Sequence, residues 1–294
     1  MPTRPIAPIA CGAMPTDKLV MDHVAVVSER AWDNVIRYSR DLGGRWIGGP
    51  DNDPASQAGD DFYFCQVAFG GGARVEILEP LEHPGSDFLH RFLARNGPGP
   101  HHFTFKTPDF ADTVGALGDA GYNVIGVNEE NPLWKEAFLH PKDSWGMVIQ
   151  IAWAGGDGWD DAPPLPPTRH GRPTSLATVV HLTSDVQAAA ALFRGPLGMV
   201  QTDEWKDPNI GTGVDLRSGP WNLKLIQPTD ANLAHWMGNR PGRLQLLHFQ
   251  LDDPGLVPGA QRVGVCGAGE HQDAMFIVPP EHNLGVRLML TERG

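Results

Sequence analysis

Apolar residues fall on alternate positions in a series of short runs along this chain, and most runs are closed by Gly, Pro or Asp. KLVMDHVAVV at 18–27 is apolar and β-branched, as a strand requires. In SERAWDNVIRYSRDLGG the period lengthens. Trp32, Val35, Ile36 and Leu42 share one helical face, Ser28 is the expected N-cap, and Gly43 and Gly44 end the helix. RWIGG, DFYFCQVAFGG and ARVEILEP then read as three strands divided by Gly-rich turns. The order is β, α, β, β, β.

That order recurs from residue 101. HHFTFKT is a strand, PDFADTVGALGDAG a helix and YNVIGV a strand, followed by EAFLHP and WGMVIQIAWA around the turn KDSWG. LATVVHLTSD, VQAAAALFRGPLG, MVQTDEW, GTGVDLRSG and PWNLKLIQP give a third copy. LQLLHFQLDD through EHNLGVRLMLTE gives a weaker fourth, its helix compromised by Pro258 and several glycines. Between the pairs, AGGDGWDDAPPLPPTRHGRPT is too rich in Gly, Pro and Asp for a helix or a strand ladder. The expected organisation is an N-terminal extension at 1–18, a first domain of two βαβββ modules at 19–153, a linker at 154–174, and a second two-module domain at 175–294. The class is α+β.

Overlaying the modules places His23 and His102 in the first strand of their units, and Glu76 and Gln150 in the last. A strand histidine is ordinarily a hydrogen-bonded core residue, and Glu76 alone could face solvent. Four such residues at equivalent places point instead to a metal site, because a carboxylate inside an apolar strand is costly unless paired or ligating. Two imidazoles, a carboxylate and an amide oxygen suit one divalent metal, Zn, Co, Mn, Ni or Fe(II). Coordination positions left open would take water or a chelating substrate.

MDHVAVV, VEILEPLEHPGSDFLHRFLARNGPGPHHFTFK and FLHPKDSWGMVIQIA together resemble methylmalonyl-CoA epimerase, within the vicinal oxygen chelate (glyoxalase/bleomycin resistance/dioxygenase) superfamily. The resemblance covers roughly residues 19–153. It implies paired βαβββ modules forming cupped mixed sheets, a metal held by His23, Glu76, His102 and Gln150, and an enolate formed from a chelating thioester. Two departures stand out. The last ligand of the family is usually Glu, and here it is Gln150. The position of the base in epimerases falls on Gln66, whose amide accepts no proton, so Glu136 and Glu130 become the other candidates for a base. Under the same resemblance the second half reads His181, Lys224, His248 and Met289 at the four positions, a degenerate, metal-free site with the histidines as core relics.

Bulk properties narrow the partners. With 294 residues, 41% hydrophobic and 20% charged, the chain is long enough for two cores. A net charge of −12 without a visible basic patch argues against nucleic acid and anionic membranes. Cys11, Cys65 and Cys266 are scattered, and the Pro- and Gly-bearing N-terminus lacks the apolar core of a signal peptide, so a cytoplasmic protein is expected. The leading expectation is an epimerase-like enzyme acting on a small molecule, an acyl-CoA by resemblance, as monomer or homodimer. The alternatives are a metal-dependent lyase, isomerase or dioxygenase on another metabolite, and a non-catalytic binder whose cup is lined by Trp46, Trp134, Trp145 and Trp205.

Overall fold

A computed structural model describes residues 19–49, 62–82, 87–155, 168–172, 174–266 and 273–293. The expected extension at 1–18 and most of the linker lie outside the described residues.

The first domain runs β1 (Val20–Val27), α1 (Ala31–Ile36), β2 (Arg45–Gly48), β3 (Phe62–Ala68), β4 (Arg74–Pro80), α2 (Phe88–Asn96), β5 (Gly99–Lys106), α3 (Phe110–Asp119), β6 (Val124–Asn128), β7 (Trp134–Leu139) and β8 (Val148–Ala154). Its eight strands form one sheet in the order β2-β3-β4-β1-β5-β8-β7-β6. β1 pairs parallel with β4 and antiparallel with β5, and β5 pairs parallel with β8. The two βαβββ modules therefore meet at β1 and β5, the strands that carry the histidines.

The second domain repeats this with β9 (Ser175–Thr183), α4 (Val186–Arg194), β10 (Val200–Asp207), β11 (Gly211–Ser218), β12 (Trp221–Pro228), α5 (Ala231–Met237), β13 (Gly242–Leu251), β14 (Gln261–Cys266), β15 (Asp273–Val278) and β16 (Leu288–Glu292). Its sheet order is β10-β11-β12-β9-β13-β16-β15-β14. Only a short 3-10 turn, Pro254–Leu256, stands where the fourth module would have its helix, as the proline and glycines there require.

Two local features differ from the sequence expectation. Ser28 does not cap α1. Its hydroxyl accepts from Arg30 N–H in a local turn, and the first helical N–H, of Ala31, donates to Glu79 Oε2 at 2.6 Å. A carboxylate from the adjacent strand thus replaces the local cap and meets the positive end of the helix. Helix α2 was not required by the modular pattern. It fills the crossover from β4 to β5 and lies over one end of the sheet's inner face, where Phe88 and Phe92 pack with Leu78, Leu89, Ala25 and Val27.

Alternation sorts each strand into two faces. Met21, Val24 and Val26 of β1, Val75 and Ile77 of β4, Phe103 and Phe105 of β5, and Ile149 and Ile151 of β8 enter one large core that continues into the second domain. There Phe69 meets Phe249 with ring centroids 4.9 Å apart, and Phe193 of α4 meets Phe103 at 6.3 Å and Phe105 at 6.2 Å. The domains are joined through these outer faces. Gly146 and Gly242 cross so closely that a Cβ on either would overlap the other's backbone or that of Trp145, and Gly146 has φ +87°. The inner faces remain as two separate cups.

Candidate metal centre

A register shift in β1 between Met21 and His23 lets Asp22 and His23 both serve the inner face, while Met21 and Val24 both serve the core. His23, Glu76 and His102 are thereby brought together on adjacent strands β4, β1 and β5. Nitrogens of the two imidazoles and a Glu76 oxygen lie within 4.8 Å of one another. Glu76 Oε2 is 3.3 Å from His23 Nε2 and 3.5 Å from His102 Nε2. Both Nε2 atoms are buried without a hydrogen-bond partner, and the histidine side chains are nearly inaccessible. Two buried imidazole lone pairs and a carboxylate aimed at one point fit a divalent cation, which would satisfy all three.

Neighbouring groups fix these side chains. His23 Nδ1 lies 2.8 Å from Asp22 Oδ2, and that carboxylate is itself met by Lys106 Nζ at 3.4 Å and Arg74 Nη1 at 3.5 Å. Burial alone would raise the Asp22 carboxyl, but Lys106, His23 and Arg74 hold it well below the usual range. Burial would lower His23, yet the carboxylates of Glu76 and Asp22 lift it to about 9 in the metal-free chain. His102 goes the other way, depressed by burial and by the neighbouring His101 and His23. Nδ1 of His102 is 2.9 Å from Nδ1 of His101, which in turn packs against Phe92 of α2 at 4.9 Å. Gln66 Nε2 donates to Glu76 Oε1 at 3.3 Å. Gln66 therefore orients the carboxylate.

Gln150 is the one expected ligand engaged elsewhere. Its Oε1 accepts from Thr104 Oγ1 at 2.7 Å, and its Nε2 donates to Glu136 Oε2 at 2.9 Å. It pairs in register with Thr104, on the face that carries His102, so it borders the centre without joining the trio. Glu136, on β7, also accepts from Trp134 Nε1 at 3.1 Å. Glu130 is exposed in the turn before β7, with its N–H on Asn128 Oδ1, and is not part of the site. Among the tryptophans, Trp46 is in the shared core and Trp134 faces the first cup beside Lys106. Trp145 occupies a turn and Trp205 covers Lys224 in the second cup, so the four do not line one cavity.

Residues 22–138 match the family model described as the glyoxalase/bleomycin resistance protein/dioxygenase superfamily. The match lies within the first domain. An uncharacterised protein, YqjC, of Bacillus subtilis is 29% identical over 99 residues, which are 31% of this chain and 66% of that protein, so the chain spans just under two thirds of that relative's length. A triple mutant of 4-hydroxymandelate synthase from Streptomyces coelicolor has a similar fold over 96% of this chain and 93% of its own, with a TM-score of 0.64 and 14% identity. Methylmalonyl-CoA epimerase from Mycobacterium tuberculosis, 20% identical, aligns over 49% of this chain and 94% of its own with a TM-score of 0.39.

Strand register corrects the expected correspondence in the second domain. Lys224 pairs with Val180 and Asp215 as Glu76 pairs with Ala25 and Gln66, and Met289 stands where Gln150 does. The histidine positions, however, fall on Thr178 and Leu246. His181 matches Val26 and is buried towards the shared core, with Nε2 2.8 Å from Trp145 O. His248 matches Thr104 and meets Thr291 Oγ1 at 2.9 Å. The Lys224–Asp215 ion pair, 3.0 Å, replaces the Glu76–Gln66 contact. An ammonium thus stands in place of the Glu76 carboxylate, and neither histidine position carries an imidazole, so the ligand set of the first domain is not reproduced.

Proposed function

We propose that the first domain is a divalent-metal enzyme that generates an enolate from a small substrate chelating through two oxygens, in the manner of an acyl-CoA epimerase. The observation that carries this reading is the convergence of two partnerless buried Nε2 atoms on the Glu76 carboxylate. His23, Glu76 and His102 would hold the metal, with the amide oxygen of Gln150 a further donor once released from Thr104. A bound divalent metal supplies Lewis-acid polarisation of a carbonyl and stabilisation of the developing negative charge.

The remaining groups have defined tasks. Asp22 fixes the His23 ring so that Nε2 faces the centre, and Gln66 fixes Glu76. Glu136 is the carboxylate positioned to move a proton at the substrate carbon, since it faces the cup and is anchored by Gln150 and Trp134. Gln66, an amide, carries no proton in this scheme. Helix α2 and its phenyl rings exclude water from the His101–His102 side.

Elemental analysis tests the metal and solvent-deuterium wash-in tests the chemistry. About one metal per chain is expected after reconstitution with Co, Zn, Mn, Ni or Fe(II), and loss of it in His102→Ala and Glu76→Ala. Glu136→Gln should keep the metal and lose deuterium incorporation into a 2-methylmalonyl-type thioester by about 10²- to 10⁴-fold. A wild-type chain that binds no metal under these conditions overturns the reading and favours a non-catalytic ligand binder.

A further inference from the structure

The chain carries 35 acidic and 23 basic side chains, yet three arginines gather on the second domain with no carboxylate within 4 Å among the described residues. They come from separate segments: Arg240 from the turn after α5, Arg243 from β13, and Arg287 from the residue before β16. Trp236 of α5 organises two of them. The Arg243 and Arg287 guanidinium carbons lie 3.7 Å and 4.5 Å from its ring centroid, and Arg243 Nη1 donates to its carbonyl at 2.7 Å. Arg240 Nη2 donates to Asn96 Oδ1 at the end of α2, 3.0 Å away. Trp236 Nε1 is buried and unpartnered.

Three like charges this close repel, and an indole ring offsets only part of that repulsion. Arg243 is pushed below its ordinary range by burial and by Arg240 and Arg287, which records the same excess of positive charge. In a chain of net charge −12, carboxylates to neutralise the trio were abundant, and none of the described residues places one there. The arrangement is what an external anion needs: two planar N–H forks held by stacking and a third held by Asn96, with most of their donors unspent.

We infer that Arg240, Arg243 and Arg287 form a binding site for a phosphate group, either free phosphate or a phosphomonoester. A single carboxylate would leave two of the three charges uncompensated, whereas a phosphate dianion presents three oxygens to three forks. A nucleic-acid or membrane surface would call for a longer basic stripe than this compact cluster. The site shares no residue with the metal centre, so it does not depend on the proposed reaction.

The test is calorimetric titration of the full chain with inorganic phosphate, phenyl phosphate and benzoate, at ionic strength matched with chloride. Saturable binding of phosphate, with benzoate at least about tenfold weaker, is expected. Binding of phenyl phosphate as well identifies a phosphomonoester as an acceptable source, while phosphate without the ester identifies the free ion. Arg243→Gln and Arg287→Gln should each weaken binding about tenfold or more, with melting temperature and circular dichroism confirming that they fold. Arg287→Lys, which keeps the charge but loses the fork, should also bind more weakly and serves if the glutamine variants do not fold. No saturable binding, equal binding of benzoate, or unchanged binding in the variants overturns the inference.

Discussion

Asp22 Oδ2 lies 2.8 Å from His23 Nδ1, and the same oxygen is 3.4 Å from Lys106 Nζ. The carboxylate that orients the candidate ligand is therefore tethered by a buried cation at that oxygen, and by Arg74 at the other. Orientation of His23 is thus shared among β1, β4 and β5, through Asp22, Arg74 and Lys106.

Asp22→Asn is expected to weaken cobalt or zinc binding by about 10- to 100-fold, because the amide can present its N–H to Nδ1 and release the ring from the tautomer that aims Nε2 at Glu76. Competition with a chromophoric chelator measures it. Affinity equal to wild type in a folded variant would mean that Asp22 has no part in holding the ligand.

Phe249→Ala removes a ring that meets Phe69 across the domain boundary, and a loss of about 3–5 kcal/mol is expected. Because the core is continuous, both domains should melt together at the lower temperature. A calorimetric trace splitting into two transitions, one unmoved, would contradict the shared core.

His181 supplies a pH test. Burial depresses it from 6.5 to about 4, against the opposing hydrogen bond to Trp145 O. Between those values the unfolded chain holds more protons than the folded one. The contribution of His181 is therefore fully present above pH 6.5 and is lost progressively as pH falls towards 4, a loss of about 3 kcal/mol in total. Denaturant midpoints of wild type and His181→Gln should converge as pH drops from 7 to 4.5. Parallel curves would show that the imidazole titrates alike in both states.

Gly146→Ala should destabilise the protein by more than about 1 kcal/mol. Its φ of +87° disfavours any side chain, and the added methyl would meet the Gly242 backbone, which cannot rotate away. A melting temperature within a degree of wild type would show that the two backbones separate easily.

Much of this was legible in the sequence, for reasons specific to the residues. His23, Glu76 and His102 interrupt apolar strands at matching places in duplicated modules, and pattern alone aligns them. Gln150 falls on the face that carries His102, and its partner Thr104 could not be seen, because the pair is 46 residues apart and joined only by parallel register. The error over His181 has a similar origin. His181 lies three positions beyond Thr178, the residue whose register matches His23, and only the pairing of β9 with β12 and β13 reveals that offset. Glu79 as the cap of α1 and the three arginines around Trp236 depend on contacts between distant segments, for which a linear pattern carries no signal.

The back-to-back joining of the sheets has a consequence for how such a chain can change. Odd and even residues of one strand answer to different demands: one set must keep the common interior filled, while the other is free to trade a carboxylate for a lysine, as Glu76 and Lys224 illustrate at matching sites. A duplicated half can abandon its ancestral chemistry, take up another, and remain indispensable as the wall against which its twin is built.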